Sequence, residues 1–417
     1  MIDDKILEDI FNEVKNMEDN GKVADYIPQL SKVNSDLFGV SICKVNGDII
    51  NFGDTNYKFC LQSCSKPLSY CIAHELHGRS HVHKCVGYEP SGRTFNAFVL
   101  NRQGLPHNPM INAGAIMVAS LLNPKDEPSN RFELVKSYYS KLCGNIQEIS
   151  FDNSVYLSEK HHADRNISLA YYMRENGSFI EDMSPNEIDE TLSLYFQCCS
   201  ILINSKMGSV MAATLANAGL CPITNEQVFK TETVQDCLTL MYGCGMYDFS
   251  GQFAFEVGLP AKSGVSGCIF LVIPNVMGIC IFSPKLDELG NSVKGIEFCK
   301  KLTEKINYHI FRNMVHMNDS VSNEIVLLQK LISYASDGNI EQVKKLEGKI
   351  DFNKSDYDKR TALHLAASEG KVEIVKYLLE KNIKSDVKDR WGNTPLDDAK
   401  QKEDKGDNFK EIISLLS

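Results

Sequence analysis

Apolar residues along this chain recur with a helical period in some stretches and a strand-like period in others, and the switches between the two outline its elements. Ile6, Leu7, Ile10 and Phe11, set among acids, predict an amphipathic helix over Ile6 to Met17. The period then shortens. Phe38-Gly-Val-Ser-Ile-Cys43 and Asp48-Ile-Ile-Asn-Phe52 flank Asn46-Gly47, which predicts a β-hairpin closed by an Asn-Gly turn. From Ser63 to about Tyr242 the helical period dominates, with Asn112 to Leu122 and Ser209 to Asn217 as clear cases. Strands return after Phe253, among them the apolar run Val265 to Ile273. A strand pair, a helical insert and a strand set in that order predict an α+β domain, in which both ends share one antiparallel sheet with helices packed on it.

After about Asn318 the character changes. Thr361 to Leu379 follows the ankyrin pattern nearly letter for letter, Thr394-Pro-Leu begins the next unit, and the step from Thr361 to Thr394 is the spacing an ankyrin repeat requires. A degenerate earlier unit runs from Leu328 to Leu346. The organisation expected is therefore a domain over residues 1–318 and an all-α module of about three ankyrin units, the outer two irregular, over residues 319–417. Such a module serves as a cap, an oligomerisation aid or a surface for a protein partner.

With 417 residues and 43% hydrophobic positions, the chain has enough apolar material for two cores. A formal charge of −10 argues against nucleic acid and anionic membrane as partners. The runs Cys268 to Ile273 and Val276 to Phe282, broken by Pro274 and Asn275, are too short to span a bilayer. The acidic start resembles neither a secretory signal nor a transit peptide, so the expectation is cytoplasmic, with a mitochondrial address only if a presequence preceded this sequence. Fourteen cysteines without C-x-x-C pairs read as reduced core thiols, not as a zinc site.

The chemistry begins at Ser63 and Lys66. Leu68, Cys71, Ile72 and Leu76 recur at helical intervals, Gly78 follows as a C-cap and Pro67 lies near the first turn, so hydroxyl and amine share one face at a helix N-terminus. A partly solvated amine loses its proton near neutral pH and can take that of the serine, while the helix dipole favours an oxyanion beside Ser63. Lys262-Ser263-Gly264 stands before an apolar strand, and serine acylases of the β-lactamase and penicillin-binding type combine the same two elements. The histidines His74, His77, His81 and His83 lack the carboxylate or thiol partners of a metal site and are expected on the surface, His107 in a local structural hydrogen bond, and His364 tying ankyrin turns together.

Gln62-Ser-Cys-Ser-Lys-Pro67, His107-Asn-Pro-Met-Ile-Asn-Ala-Gly-Ala-Ile116, Gly245-Met-Tyr-Asp-Phe-Ser-Gly-Gln-Phe253 and Leu259-Pro-Ala-Lys-Ser-Gly-Val265 together resemble the serine-dependent glutaminases, and the ankyrin tail resembles their animal, kidney-type branch. The resemblance implies a β-lactamase-like fold and hydrolysis of L-glutamine to L-glutamate and ammonia. It implies Ser63 as nucleophile, Lys66 as general base and acid, Tyr247 as the active-site tyrosine, and the N–H groups of Ser63 and Val265 at the oxyanion. It assigns Glu159 to the substrate ammonium and Asn166, Asn112, Tyr26 and Tyr195 to the remaining contacts. It also implies a homotetramer, no cofactor, and inorganic phosphate as an activator working through the loop Ser91 to Leu100. Ala97 stands there where animal enzymes carry a basic residue, so weak phosphate dependence is expected. The rivals are a penicillin-binding or β-lactamase enzyme, and an ankyrin interaction protein with a decayed body.

Overall fold

Strict alternation in the central strands divides one sheet between two cores. The computed structural model describes residues 4–306, 308–310, 322–381 and 383–417. Its strands are β1 (Lys22–Val23), β2 (Gly39–Lys44), β3 (Ile49–Gly53), β4 (Phe59–Cys60), β5 (Ser150–Phe151), β6 (Ile201–Ile203), β7 (Ala261–Gly264), β8 (Cys268–Ile273), β9 (Met277–Phe282) and β10 (Lys285–Leu286). The main sheet has the order β3-β2-β9-β8-β7, antiparallel throughout, so the early hairpin and the late strands pair as expected. Ile269, Leu271 and Ile273 of β8 face a core with the helices Asp4–Lys15 and Val293–Ile306; Cys268, Phe270 and Val272 face the opposite core. Both faces are covered, and β8 and β9 are buried from end to end.

The helix Ser205–Ala216 lies so close to this sheet that a Cβ on Gly278 would fall 2.0 Å from the Ala213 nitrogen. Only glycine fits there. The hairpin turn differs from the two-residue loop expected. Gly47 N–H closes on Lys44 O and Lys44 N–H on Asp48 O, leaving Val45, Asn46 and Gly47 in the loop with Gly47 at φ +94°. That is a turn with a glycine bulge, which keeps Cys43 opposite Ile49.

The chain divides into two compact units, Met1–Arg312 and Asn313–Ser417, and the boundary expected between 318 and 319 lies outside the described residues. Among the described residues, the second unit is three helix pairs: Ser322–Asp337 with Ile340–Lys344, Ala362–Ser368 with Val372–Glu380, and Pro395–Lys400 with Asp407–Leu416. Leu331, Leu363, Ala366, Ile374, Leu378 and Ile412 form its own core. His364 holds Thr361 through Nδ1 and Asn393 O through Nε2 at 3.2 Å, which links one turn to the next as expected.

Candidate active site

From β4 the chain enters a tight turn, Gln62–Cys64, and then the helix Ser65–His77. Ser63 thus stands at the N-terminal end of that helix, Pro67 lies within its first turn and Gly78 closes it. The turn is strained, because Gln62 has φ +49°, a left-handed conformation that costs a non-glycine residue about 1–3 kcal/mol. Long-range contacts hold it. Cys64 Sγ donates to Lys262 O at 3.3 Å, and Gly264 packs so close that a Cβ would lie 2.9 Å from Leu61 O. The Lys262-Ser263-Gly264 edge of β7 is therefore pressed against the serine turn. The backbone N–H groups of Ser63 and Val265 enter no backbone hydrogen bond among the described residues.

Lys66 is more enclosed than expected, only 2% exposed. Its Nζ donates to Asn112 Oδ1 at 2.7 Å rather than to Ser63, and Asn112 Nδ2 donates to Asn166 Oδ1 at 2.9 Å. Burial, followed by the like charge of Lys262, pulls the Lys66 pKa down to about 7. Lys262 is fully buried, donates to Gly245 O at 3.1 Å and Ser263 O at 2.7 Å, and is drawn by burial to about 8. Its Nζ sits 4.5 Å from the centre of the Tyr247 ring.

Tyr247 occupies the left-handed region at φ +55°, and its ring meets Phe95 with centroids 5.0 Å apart. Its hydroxyl is buried without a fully formed hydrogen bond; burial raises its pKa, and the Ser63 side chain draws it partly back. Tyr195, on the helix Pro185–Cys199, is buried, and its phenol is raised first by burial and then by the Cys199 and Glu159 charges. Its neighbours include both Glu159 and Tyr247.

A second cluster gathers around one acid. Glu159, on the helix Asn153–His161, accepts from Tyr26 Oη at 2.6 Å and from Gln62 Nε2 at 3.0 Å. Burial raises its pKa, and these two donors oppose the rise. Tyr26 is half-exposed as a residue, but its hydroxyl is turned inward and raised by burial and by the neighbouring Glu159 charge. Asn166 is half-buried on the helix Asp164–Glu175. Gln62 and Phe95 were not among the residues expected here. Adjacency to Ser63 was the available signal for Gln62; Phe95 lies in the loop 91–100, which was singled out for regulation and not for the site.

The histidine expectations need correction. His74 is buried, with Nε2 3.0 Å from Asp236 Oδ2 and Nδ1 2.9 Å from Thr233 Oγ1, so it joins two helices instead of facing solvent. His83 bonds Tyr70 Oη at 2.8 Å. His107 Nδ1 is buried without a partner, so the local side-chain bond expected there is not formed through that atom. A cleft of about 420 Å³ opens over Tyr247, lined by Arg93, Phe95, Met110, Cys244 and Asp248 among others. A smaller cavity, about 100 Å³, lies beside Cys60, Val265 and Ser266 and holds none of the acid–base groups.

Both units of the chain resemble known proteins. A family model described as Glutaminase matches residues 21–311, and one described as Ankyrin repeats (3 copies) matches residues 331–416. The chain is 47% identical to the glutaminase liver isoform, mitochondrial, of Rattus norvegicus, over 98% of this chain and 67% of that protein. It is 43% identical to a glutaminase of Nostoc sp., over 74% of this chain and 90% of that one. It thus spans about two thirds of the length of the rat and mouse proteins it matches. Among solved structures, Mglu in its glutamate form superposes with a TM-score of 0.68 at 32% identity, covering 79% of this chain and 73% of that one. A Bacillus glutaminase superposes with a TM-score of 0.66 at 32% identity, covering 73% and 98%.

Proposed function

The chain belongs to the glutaminase family, and on that premise we propose that it hydrolyses the side-chain amide of L-glutamine to L-glutamate and ammonia through an acyl-enzyme on Ser63. The observation that carries the mechanism is the Lys66 amine, buried one helical turn from Ser63 with its pKa near 7. A neutral amine that donates one N–H to Asn112 Oδ1 keeps its lone pair for the serine proton.

Ser63 Oγ adds to the amide carbon as its proton passes to Lys66. The oxygen of the tetrahedral adduct meets the N–H groups of Ser63 and Val265, each such donor being worth about 10²–10³ in rate. Lys66 returns the proton to the leaving nitrogen through the Tyr247 hydroxyl, the C–N bond breaks and ammonia departs. Water then attacks the ester, again losing a proton to Lys66, and glutamate leaves as Ser63 recovers its own. Burial first, and then the like charge of Lys262, hold the Lys66 pKa low.

Free glutamine also brings an ammonium and a carboxylate. Glu159 is the acid for the ammonium, positioned by Tyr26 and Gln62, while Asn166, Asn112 and Tyr195 supply neutral contacts. An ammonia-release assay tests the reading: wild type turns over glutamine, Ser63→Ala does not, and an electrophilic glutamine analogue leaves a mass adduct on Ser63. Turnover by Ser63→Ala, or an adduct elsewhere, overturns it.

The same reading extends to a homotetramer, weak activation by inorganic phosphate through the loop 91–100, and a protein partner for the ankyrin unit. Light scattering and turnover with and without phosphate test the first two. All fourteen cysteines are buried and unpaired, which supports a reducing compartment.

A further inference from the structure

We propose that Ser250 and Asn291 are positioning residues for the reaction, clamping the peptide units on either side of Tyr247 so that its hydroxyl stays directed at Ser63. The inference rests on the reading in which Tyr247 carries the proton. A bulky residue leaves the left-handed region unless its neighbours hold it there, and Tyr247 sits at φ +55°.

The backbone around it is held from two elements. Ser250 Oγ accepts from Met246 N at 3.0 Å and donates to Tyr247 O at 2.7 Å, so a single hydroxyl spans the residue. Asn291, fully buried, donates from Nδ2 to Met246 O at 3.4 Å. Asn291 is itself fixed in a turn, where its N–H meets Asp287 Oδ1 at 2.9 Å and Asp287 N–H meets its carbonyl at 2.8 Å. The preceding Gly290 presents bare backbone to the tyrosine ring, whose edge would stand 3.9 Å from a Cβ there. Asn291 Oδ1 is buried without a partner. Its one side-chain bond goes to the peptide that enters Tyr247. Neither side chain hydrogen-bonds Lys66 or Glu159. Ser250 and Asn291 bond the backbone that flanks Tyr247, and Gly245 O, one peptide earlier, accepts from Lys262, so the cycle with Tyr247→Phe separates an effect through the tyrosine from one through Lys262.

A double-mutant cycle on the full chain tests this, with kcat and KM for glutamine and melting temperature measured on each variant. Ser250→Ala lowers kcat about tenfold and leaves KM within about twofold. In the Tyr247→Phe background the same change lowers kcat by less than about twofold, because the hydroxyl it positions is already gone. Equal losses in both backgrounds, with Tyr247→Phe itself impaired, overturn the clamp and leave the proposed mechanism standing. A Tyr247→Phe enzyme with normal kcat overturns the tyrosine's role and the clamp with it, while Ser63→Ala still reports on the acyl-enzyme. Where Ser250→Ala does not fold, Asn291→Ala runs the same cycle with the same expected non-additivity.

Discussion

At the scale of single residues, the site works by keeping amines and an acid where water cannot solvate their charges. The Lys66 pKa, drawn from 10.5 to about 7, ties activity and stability to the same proton. Turnover requires the neutral amine, so kcat/KM for glutamine rises with pH through a midpoint near 7, and a flat profile from pH 5 to 9 contradicts a lysine base. Folding favours the same neutral form. Between the folded value and 10.5 the unfolded chain binds more protons than the native one, so the cost of burying this amine is fully present below about pH 7 and disappears above 10.5. Lys66→Met therefore abolishes turnover yet stabilises the protein at pH 6 by about 1–3 kcal/mol, with a smaller gain at pH 10. Urea denaturation at the two pH values checks it. Glu159→Gln keeps the hydrogen-bonding shape but loses the charge facing the substrate ammonium, so KM rises by about 10²-fold while kcat falls much less.

Among elements, the meeting of β7 with the serine turn matters most, because it brings a strand edge from late in the chain to the start of a helix from early in it. Gly264→Ala places a methyl 2.9 Å from Leu61 O and 3.2 Å from Cys64 Sγ, which drives β7 away from that turn. The expected cost is about 1–3 kcal/mol in stability, with a larger proportional loss in kcat than in KM because Val265 moves with the strand. Thermal melts and steady-state kinetics on purified protein check both. Elements of this length were legible in the chain because burial imposes a period: β8 alternates between two cores, and the helices repeat their apolar faces. Strands such as β1, β4 and β5 have two residues each and carry no period, so nothing in the sequence marked them. The nucleophile and its lysine were legible because they are neighbours in the chain. Gln62 reaches Glu159 across 97 positions and Phe95 reaches Tyr247 only through folding, so their roles come from tertiary proximity.

For the molecule as a whole, two units with separate cores set how it unfolds. The residues around Leu331, Leu363, Leu378 and Ile412 form a cluster drawn entirely from the second unit, while the sheet and its helices form clusters drawn entirely from the first. Three stacked helix pairs gain stability mainly from nearest-neighbour interfaces, so a cavity in the middle pair weakens the whole stack. Leu378 is completely buried in that pair. Leu378→Ala removes its packing at a cost of about 2–5 kcal/mol, a large fraction of what so small a unit can have. Calorimetry of the full chain then gives two transitions, with the ankyrin one moved down and the other unchanged, and ammonia release from glutamine below the first transition stays within about twofold of wild type. A single transition shifted as a whole, or turnover that falls in step with the melting of the repeats, means that the two units fold as one cooperative body and that the repeats support the catalytic geometry directly.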